Sequence, residues 1–208
     1  MSVNIAAVMA KQPELSKVKT RLAKTVGDEK ALEVYKALLE NLEENCTPDN
    51  HNSFKLGTFI TPVDLIENFQ KSYKKFDFYQ PQSCGDLGKK MQDAFHTIFS
   101  KYNAEHAILV GVDIPDLNRD IIDTAFEELC SHDVVLGPTS DGGYYLIGMH
   151  QVHVELFSNI NWGSASVFDQ TKQICERLSL KTKVLQTLSD LDTEDDLVLF
   201  PKIMQKLL

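Results

Sequence analysis

Residues 106–117 read HAILVGVDIPDL. The stretch 106–112 is almost continuously apolar, the pattern of a strand covered on both faces in the middle of a sheet. It runs into an acid, Asp113, and then Pro115, which cannot donate to a sheet ladder. A carboxylate just past a buried central strand stands where open α/β sheets bind ligands, outside the carboxyl ends of their strands. That placement makes Asp113 the first candidate ligand for a divalent metal, because Mg²⁺ or Mn²⁺ is commonly held by one or two carboxylates plus substrate phosphate oxygens.

The flanking sequence supplies the rest of such a sheet. Residues 3–9 form a second short apolar run, and 54–60, 76–79, 134–137 and 144–149 also read as strands. Residues 181–188 alternate like an edge strand. Helical spacing is predicted over 28–44, with Leu32, Tyr35, Leu38, Leu39 and Leu42 on one side, and over 86–99, with Leu87, Met91, Phe95 and Ile98. It is also predicted over 62–73, with Pro62 at a first helical position, and over 121–129, 164–178 and 194–207. Strand–helix alternation of this kind predicts an α/β fold with a mostly parallel sheet and helices on both faces. Repeats, low-complexity tracts and Pro/Gly/Ser linkers are absent, so residues 1–208 are expected to form a single domain.

Composition narrows the partners. With 43% apolar residues the chain has enough material for a substantial core without staples. A formal net charge of −9 argues against nucleic acid as a partner, since phosphate backbones demand clustered cations. The four cysteines, Cys46, Cys84, Cys130 and Cys175, are scattered with no C-x-x-C pair, as expected for reduced thiols in a cytoplasmic protein. The N-terminal apolar stretch is too short for a membrane span and lacks the basic segment of a signal peptide.

Against this acidic background, residues 11–24 reverse the sign. Lys11, Lys17, Lys19, Arg21 and Lys24 face a single Glu14 directly after the first predicted strand. A di- or triphosphate needs such a cradle of fixed cations. The segment is neither a P-loop nor a dinucleotide fingerprint, since both glycine patterns are missing. Gly85, Asp86, Leu87 and Gly88 follow another strand; the glycines allow close backbone approach to a nucleoside, and Asp86 is also a plausible helix cap. Asp141, Gly142, Gly143 and Tyr144 sit in a tight turn between strands, and the functional reading sets them against an acceptor or a sugar. The wrong spacing of Gly137, Ser140 and Gly142 disfavours a serine-hydrolase elbow. Residues 190–196 hold five acids; Thr193 with Asp196 approximates a capping box, and Asp190 or Asp192 is available as a second metal carboxylate. The pair His150 and His153 reads as surface, and Trp162, the only tryptophan, as core or pocket wall.

Six motifs then fall in one order: PELSKVKTRLA (13–23), GDLGKKMQDAF (85–95), ILVGVDIPDL (108–117), VVLGPTSDGGYYLIGM (134–149), NWGSASVFDQT (161–171) and DLDTEDDL (190–197). In this order they resemble a bacterial glycosyltransferase-like family, the radical-SAM/selenodomain-associated transferases. That family looks like a divergent branch of the nucleotide-diphospho-sugar transferase fold, also called glycosyltransferase A. The resemblance implies a three-layer sandwich. It implies that Lys11, Lys19 and Arg21 touch phosphates, that Gly85–Gly88 lie near the nucleoside, and that Asp113 binds Mg²⁺ or Mn²⁺ with a second contact at Asp192. Asp141, Gly142, Gly143, Tyr144 and Trp162 would face a small-molecule acceptor, with Asp113, Asp141, Lys19 and Arg21 as the catalytic set. One departure stands out. The family's first loop usually carries glycine where this chain has Ser16, and a positive φ there would strain a serine.

The expectation is a metal-dependent transferase acting as a monomer or homodimer. Its donor would be a nucleoside triphosphate or a nucleotide sugar, and the same clamp serves nucleotidyl and glycosyl transfer. The rival readings are a nucleotide-binding module without catalysis and a phosphohydrolase built on the acidic C-terminal segment.

Overall fold

The structure, a computed structural model, describes residues 3–48 and 54–205. In chain order the elements are β1 (Val3–Lys11), α1 (Thr20–Val26), α2 (Asp28–Cys46), β2 (Lys55–Thr61), α3 (Ile66–Ser72), β3 (Phe78–Pro81), α4 (Leu87–Tyr102) and β4 (Ala104–Gly111). They continue with α5 (Arg119–Leu129), β5 (Val134–Pro138), β6 (Tyr144–Met149), α6 (Val167–Arg177), β7 (Thr182–Val184), α7 (Glu194–Leu199) and α8 (Pro201–Gln205).

All seven strands share one sheet in the order β3-β2-β1-β4-β6-β5-β7. Strands β1 to β4 pair parallel, as do β5 and β7, while β6 is antiparallel to both β4 and β5. The sheet is therefore mostly parallel, as expected, with one strand reversed.

Strand alternation builds two cores. From β1 and β4, Ala6, Val8, Ile108 and Val110 point into a layer formed by α1, α2, α3, α5, α7 and α8. Ile5, Ala7, Ala107 and Leu109 point the other way, against α4 and α6. Both faces of these strands are dry, which is why their sequences are apolar without a break. This is the three-layer α/β sandwich of the nucleotide-diphospho-sugar transferase fold.

Several boundaries differ from expectation. The cationic segment is not all loop, since residues 20–26 close into α1. Pro62 does not open an α-helix; it precedes a 3-10 turn over Val63–Leu65, and α3 follows. The third strand lies two residues later than predicted. The edge strand keeps a ladder only over Thr182–Val184, although Leu185 and Leu188 still donate to Leu136 O and Pro138 O at 2.8 and 3.1 Å. The C-terminal helix breaks at Phe200 because Pro201 cannot donate the next helical hydrogen bond and so starts a new helix, α8. The last two positions of the predicted helix, 206 and 207, lie outside the described residues.

Candidate active site

The parallel strands deliver their carboxyl ends to one edge of the sheet. Lys11 ends β1, Asp113 lies two residues beyond β4, and Asp141 occupies the turn that leads into Tyr144 at the start of β6. Asp190 and Asp192 arrive on the segment after β7, held there by backbone bonds. Leu191 N–H donates to Asp113 O at 2.9 Å, and Ser140 N–H to Leu188 O at 3.1 Å.

Lys19 is the hub. It stands at the N-cap of α1 with a left-handed backbone, φ 47° and ψ 42°. Such a conformation costs a non-glycine residue about 1–2 kcal/mol, and it aims the side chain inwards. The ammonium, 3% exposed, lies 2.5 Å from Asp113 Oδ1 and 3.0 Å from Asp192 Oδ1, and donates to Leu191 O at 2.5 Å. Three acceptors match its three N–H donors. Arg21 Nη1 approaches the other oxygen of Asp192, Oδ2, at 3.0 Å from the solvent side.

Around this hub lie two adjoining cavities of about 320 and 350 Å³. Arg21, Leu87, Gly111, Asp113 and Asp192 form their common wall. One half adds Lys11, Val18, Lys19, Thr20 and Tyr35. The Tyr35 hydroxyl accepts from Lys11 N–H at 2.9 Å and donates to Lys11 O at 3.2 Å, fixing the end of β1. Burial first, and the Asp113 carboxylate second, push the Tyr35 phenol well above its ordinary range, so it stays protonated. The other half adds Thr139, Asp141, Gly143, Tyr144, Trp162 and Asp190. Asp141 Oδ1 accepts from Thr139 Oγ1 at 2.6 Å and Gly143 N–H at 3.0 Å, which locks the turn. Burial, followed by repulsion from Asp141, raises the Asp190 carboxyl above the usual carboxylate range.

The structure thus brings Lys11, Lys19, Arg21, Leu87, Asp113, Asp141, Gly143, Tyr144, Trp162 and Asp192 to one cleft. It does not bring all the sequence candidates there. Lys17 and Lys24 are exposed and line neither half. Asp86 caps α4, accepting from Lys89 N–H at 2.8 Å. A Cβ on Gly88 would stand 2.5 Å from Phe157 O and 2.6 Å from Trp162 Nε1, so this glycine gives room to protein atoms. Gly142 does the same, with Ala165 O at 2.0 Å from a hypothetical Cβ. Of the 85–88 segment only Leu87 lines the cleft. Asp196 is the capping-box residue: its Oδ2 accepts from Thr193 N–H at 2.7 Å and Asp192 N–H at 3.0 Å. His150 follows the end of β6, at the opposite edge of the sheet because β6 runs backwards.

Sequence reasoning missed Tyr35 as a site residue, having counted it only as part of the apolar face of α2. Its hydroxyl left no periodic signal.

Oxygen donors from Asp113, Asp192 and the Leu191 carbonyl surround one cationic centre, here the Lys19 ammonium. That donor set suits a hard divalent cation. Among the described residues no group of three His, Cys, Asp or Glu side chains is arranged to hold a metal, so substrate phosphate oxygens would have to complete the shell. No described helix is long and apolar enough to cross a membrane.

Comparisons with known proteins agree with this architecture. The family described as "uncharacterized protein conserved in bacteria (DUF2064)" matches residues 59–164. The structure of a candidate nucleotide-diphospho-sugar transferase from Desulfovibrio desulfuricans G20 superposes with a TM-score of 0.87 at 32% identity, covering 97% of this chain and 88% of that one. A 4-diphosphocytidyl-2C-methyl-D-erythritol synthase from Anaerococcus prevotii DSM 20548 shares the fold at 12% identity, TM-score 0.61, covering 98% and 99% of the two chains. CMP:2-keto-3-deoxy-manno-octonic acid synthetase, in complex with CTP, does so at 10% identity, TM-score 0.56, with both chains covered completely. Comparison with curated proteins returned no match.

Proposed function

This chain belongs to the DUF2064 family of bacterial proteins, and from that premise we propose that it is a transferase whose donor is a nucleoside triphosphate or a nucleotide sugar. The observation that carries this reading is the convergence of Lys19, Asp113 and Asp192 in a cleft whose one half is cationic and whose other half is free for an acceptor.

The roles follow from position. Lys11, Lys19 and Arg21 hold the donor's diphosphate, and their fixed charges favour the extra negative charge that develops on it as the bond to it breaks. Asp113 and Asp192 would hold Mg²⁺ or Mn²⁺, a Lewis acid that polarises phosphate oxygens and offsets the same charge. For diphosphate to bind, Lys19 would turn from the two carboxylates to the phosphate oxygens, which would leave Asp113 and Asp192 available to hold the cation. Leu87 borders both halves of the cleft, and Trp162 borders the acceptor half.

In the transfer, an acceptor oxygen forms a bond to the α-phosphorus of a triphosphate or to the anomeric carbon of a nucleotide sugar. The bond to the bridging oxygen breaks, and its electron pair leaves with pyrophosphate or nucleoside diphosphate. The acceptor's hydroxyl proton passes to Asp141, whose Oδ1 is engaged in the turn, leaving Oδ2 to receive it.

A thermal-shift panel of nucleoside triphosphates and nucleotide sugars, each with and without Mn²⁺, tests the proposal. A true donor at a hundred times its Kd stabilises the protein by about 2.7 kcal/mol. Asp113→Asn is expected to abolish the Mn²⁺-dependent part of that gain and to lower turnover at least about a hundredfold. A panel without any stabilising nucleotide, or an unchanged metal response in Asp113→Asn, would falsify the reading.

A further inference from the structure

We infer that the acceptor carries a positive charge: it is a small amine-bearing alcohol, such as an amino sugar, and not a phosphorylated or carboxylated one. This rests on the transferase reading of the cleft and names the class of its second substrate.

The acceptor half sets four carboxylates, Asp113, Asp141, Asp190 and Asp192, against one cation, Arg21. Two of the four are already answered, Asp113 by Lys19 and Asp192 by Lys19 and Arg21. Asp141 and Asp190 have no ion-pair partner among the described residues. A metal between Asp113 and Asp192 would leave them so.

The same cavity has an aromatic wall. Trp162 and Tyr144 meet edge to face, ring centroids 6.4 Å apart, and both border the same cavity. Two unanswered carboxylates beside aromatic rings attract an ammonium through charge and ring quadrupole together. An anionic acceptor would meet repulsion from both acids, and the cleft walls focus that field.

The lone tryptophan makes the site measurable, since all indole fluorescence comes from Trp162. At low ionic strength, caesium is expected to quench it about tenfold more than iodide, each relative to neutral acrylamide. Asp141→Asn/Asp190→Asn should bring the two ions close to parity. Removing two charges elsewhere, with Glu29→Gln/Glu33→Gln on α2, should leave the ratio unchanged and so excludes the protein's overall charge as the cause. Titration of the wild-type protein with glucosamine, glucose and glucose 6-phosphate, at about pH 6.5 where the amine is protonated, needs no variant. Glucosamine is expected to bind about tenfold tighter than glucose, and glucose 6-phosphate more weakly than either.

Equal affinities, a preference for glucose 6-phosphate, no response to glucosamine, or a caesium preference that survives the Asp141/Asp190 change in a folded variant would each overturn the inference. Nucleotide stabilisation reads the opposite half of the cleft, so the donor reading and the acceptor reading fail separately.

Discussion

Lys19 shows how one side chain can organise a site. Its ammonium is buried, yet all its donors are satisfied by Asp113, Asp192 and the Leu191 carbonyl. Lys19→Met keeps the aliphatic stem but leaves two neighbouring carboxylates without their shared cation. Removing one partner of a fully buried pair costs about 3–5 kcal/mol. Here the carboxylates are 47% and 28% exposed, so solvent screens part of that cost, and a loss of about 1–3 kcal/mol is expected in urea denaturation. Nucleotide affinity should fall as well, read by calorimetry. A variant as stable as the wild type would show that Lys19 is not the hub.

Ser16 is the second informative position. It does adopt a positive φ, 61°, where the resembling family usually has glycine, and its hydroxyl donates to the Asp28 carboxylate. Ser16→Gly relieves about 1–2 kcal/mol of backbone strain but loses that bond and adds unfolded-state freedom, so stability should stay within about 1 kcal/mol of wild type. A β-branched side chain tolerates this backbone poorly, and Ser16→Val should cost about 2 kcal/mol. Equal effects of the two changes, measured by urea denaturation, would mean the loop relaxes to negative φ.

Among the elements, the turn between β5 and β6 and the loop before α6 form one packed unit. Phe168 N–H donates to Gly142 O at 2.9 Å, and Gly142 has no room for a side chain against Ala165. Gly163 has nearly the same backbone, φ 82° against 89°, but open space around it. The two glycines therefore separate backbone strain from packing. Gly163→Ala should cost about 1 kcal/mol. Gly142→Ala adds a steric conflict and should cost about 2–4 kcal/mol, with a red-shifted Trp162 emission as the loops part. Equal costs would show that the close approach is not maintained.

The elements also show why boundaries were harder to read than identities. The short α1, Thr20–Val26, has too few turns for its apolar period to stand out among cations. The break at Pro201 did have a visible signal, since proline inside a helical pattern ends or restarts it. The turn 139–143 announces an antiparallel pair, but it does not say that β6 will lie between β4 and β5.

Across the whole molecule, the acidic cleft has consequences for stability. Asp190 has a raised carboxyl pKa, through burial and then Asp141, so the folded state binds its proton more tightly than the unfolded chain does. Its ionisation at neutral pH therefore opposes folding, and the opposition vanishes as pH falls below the unfolded carboxylate range. Asp196 is the reverse case. Burial alone would raise it, but hydrogen bonds from Thr193 and Asp192 outweigh that and hold it low, so it supports folding at neutral pH and loses that role on acidification. Asp190→Asn should thus raise the Tm at pH 7 and have little effect near pH 3, while Asp196→Asn should lower it at pH 7. Melting curves across this range check both signs, and a destabilised Asp190→Asn at pH 7 would contradict the cleft's electrostatics.

What the chain's order of residues settled by itself was the α/β layering, and it marked the acids that follow the strands. Unbroken apolar strands need cover on both faces, and acids after them must lie at the ligand edge. Only the tertiary structure decided that Lys19, and not Lys17 or Lys24, meets Asp113 and also Asp192, 173 positions away in the chain, and that the glycines at 88 and 142 admit protein rather than ligand. Local patterns record which face of an element is buried, whereas partners so distant in sequence are chosen by how the sheet is threaded.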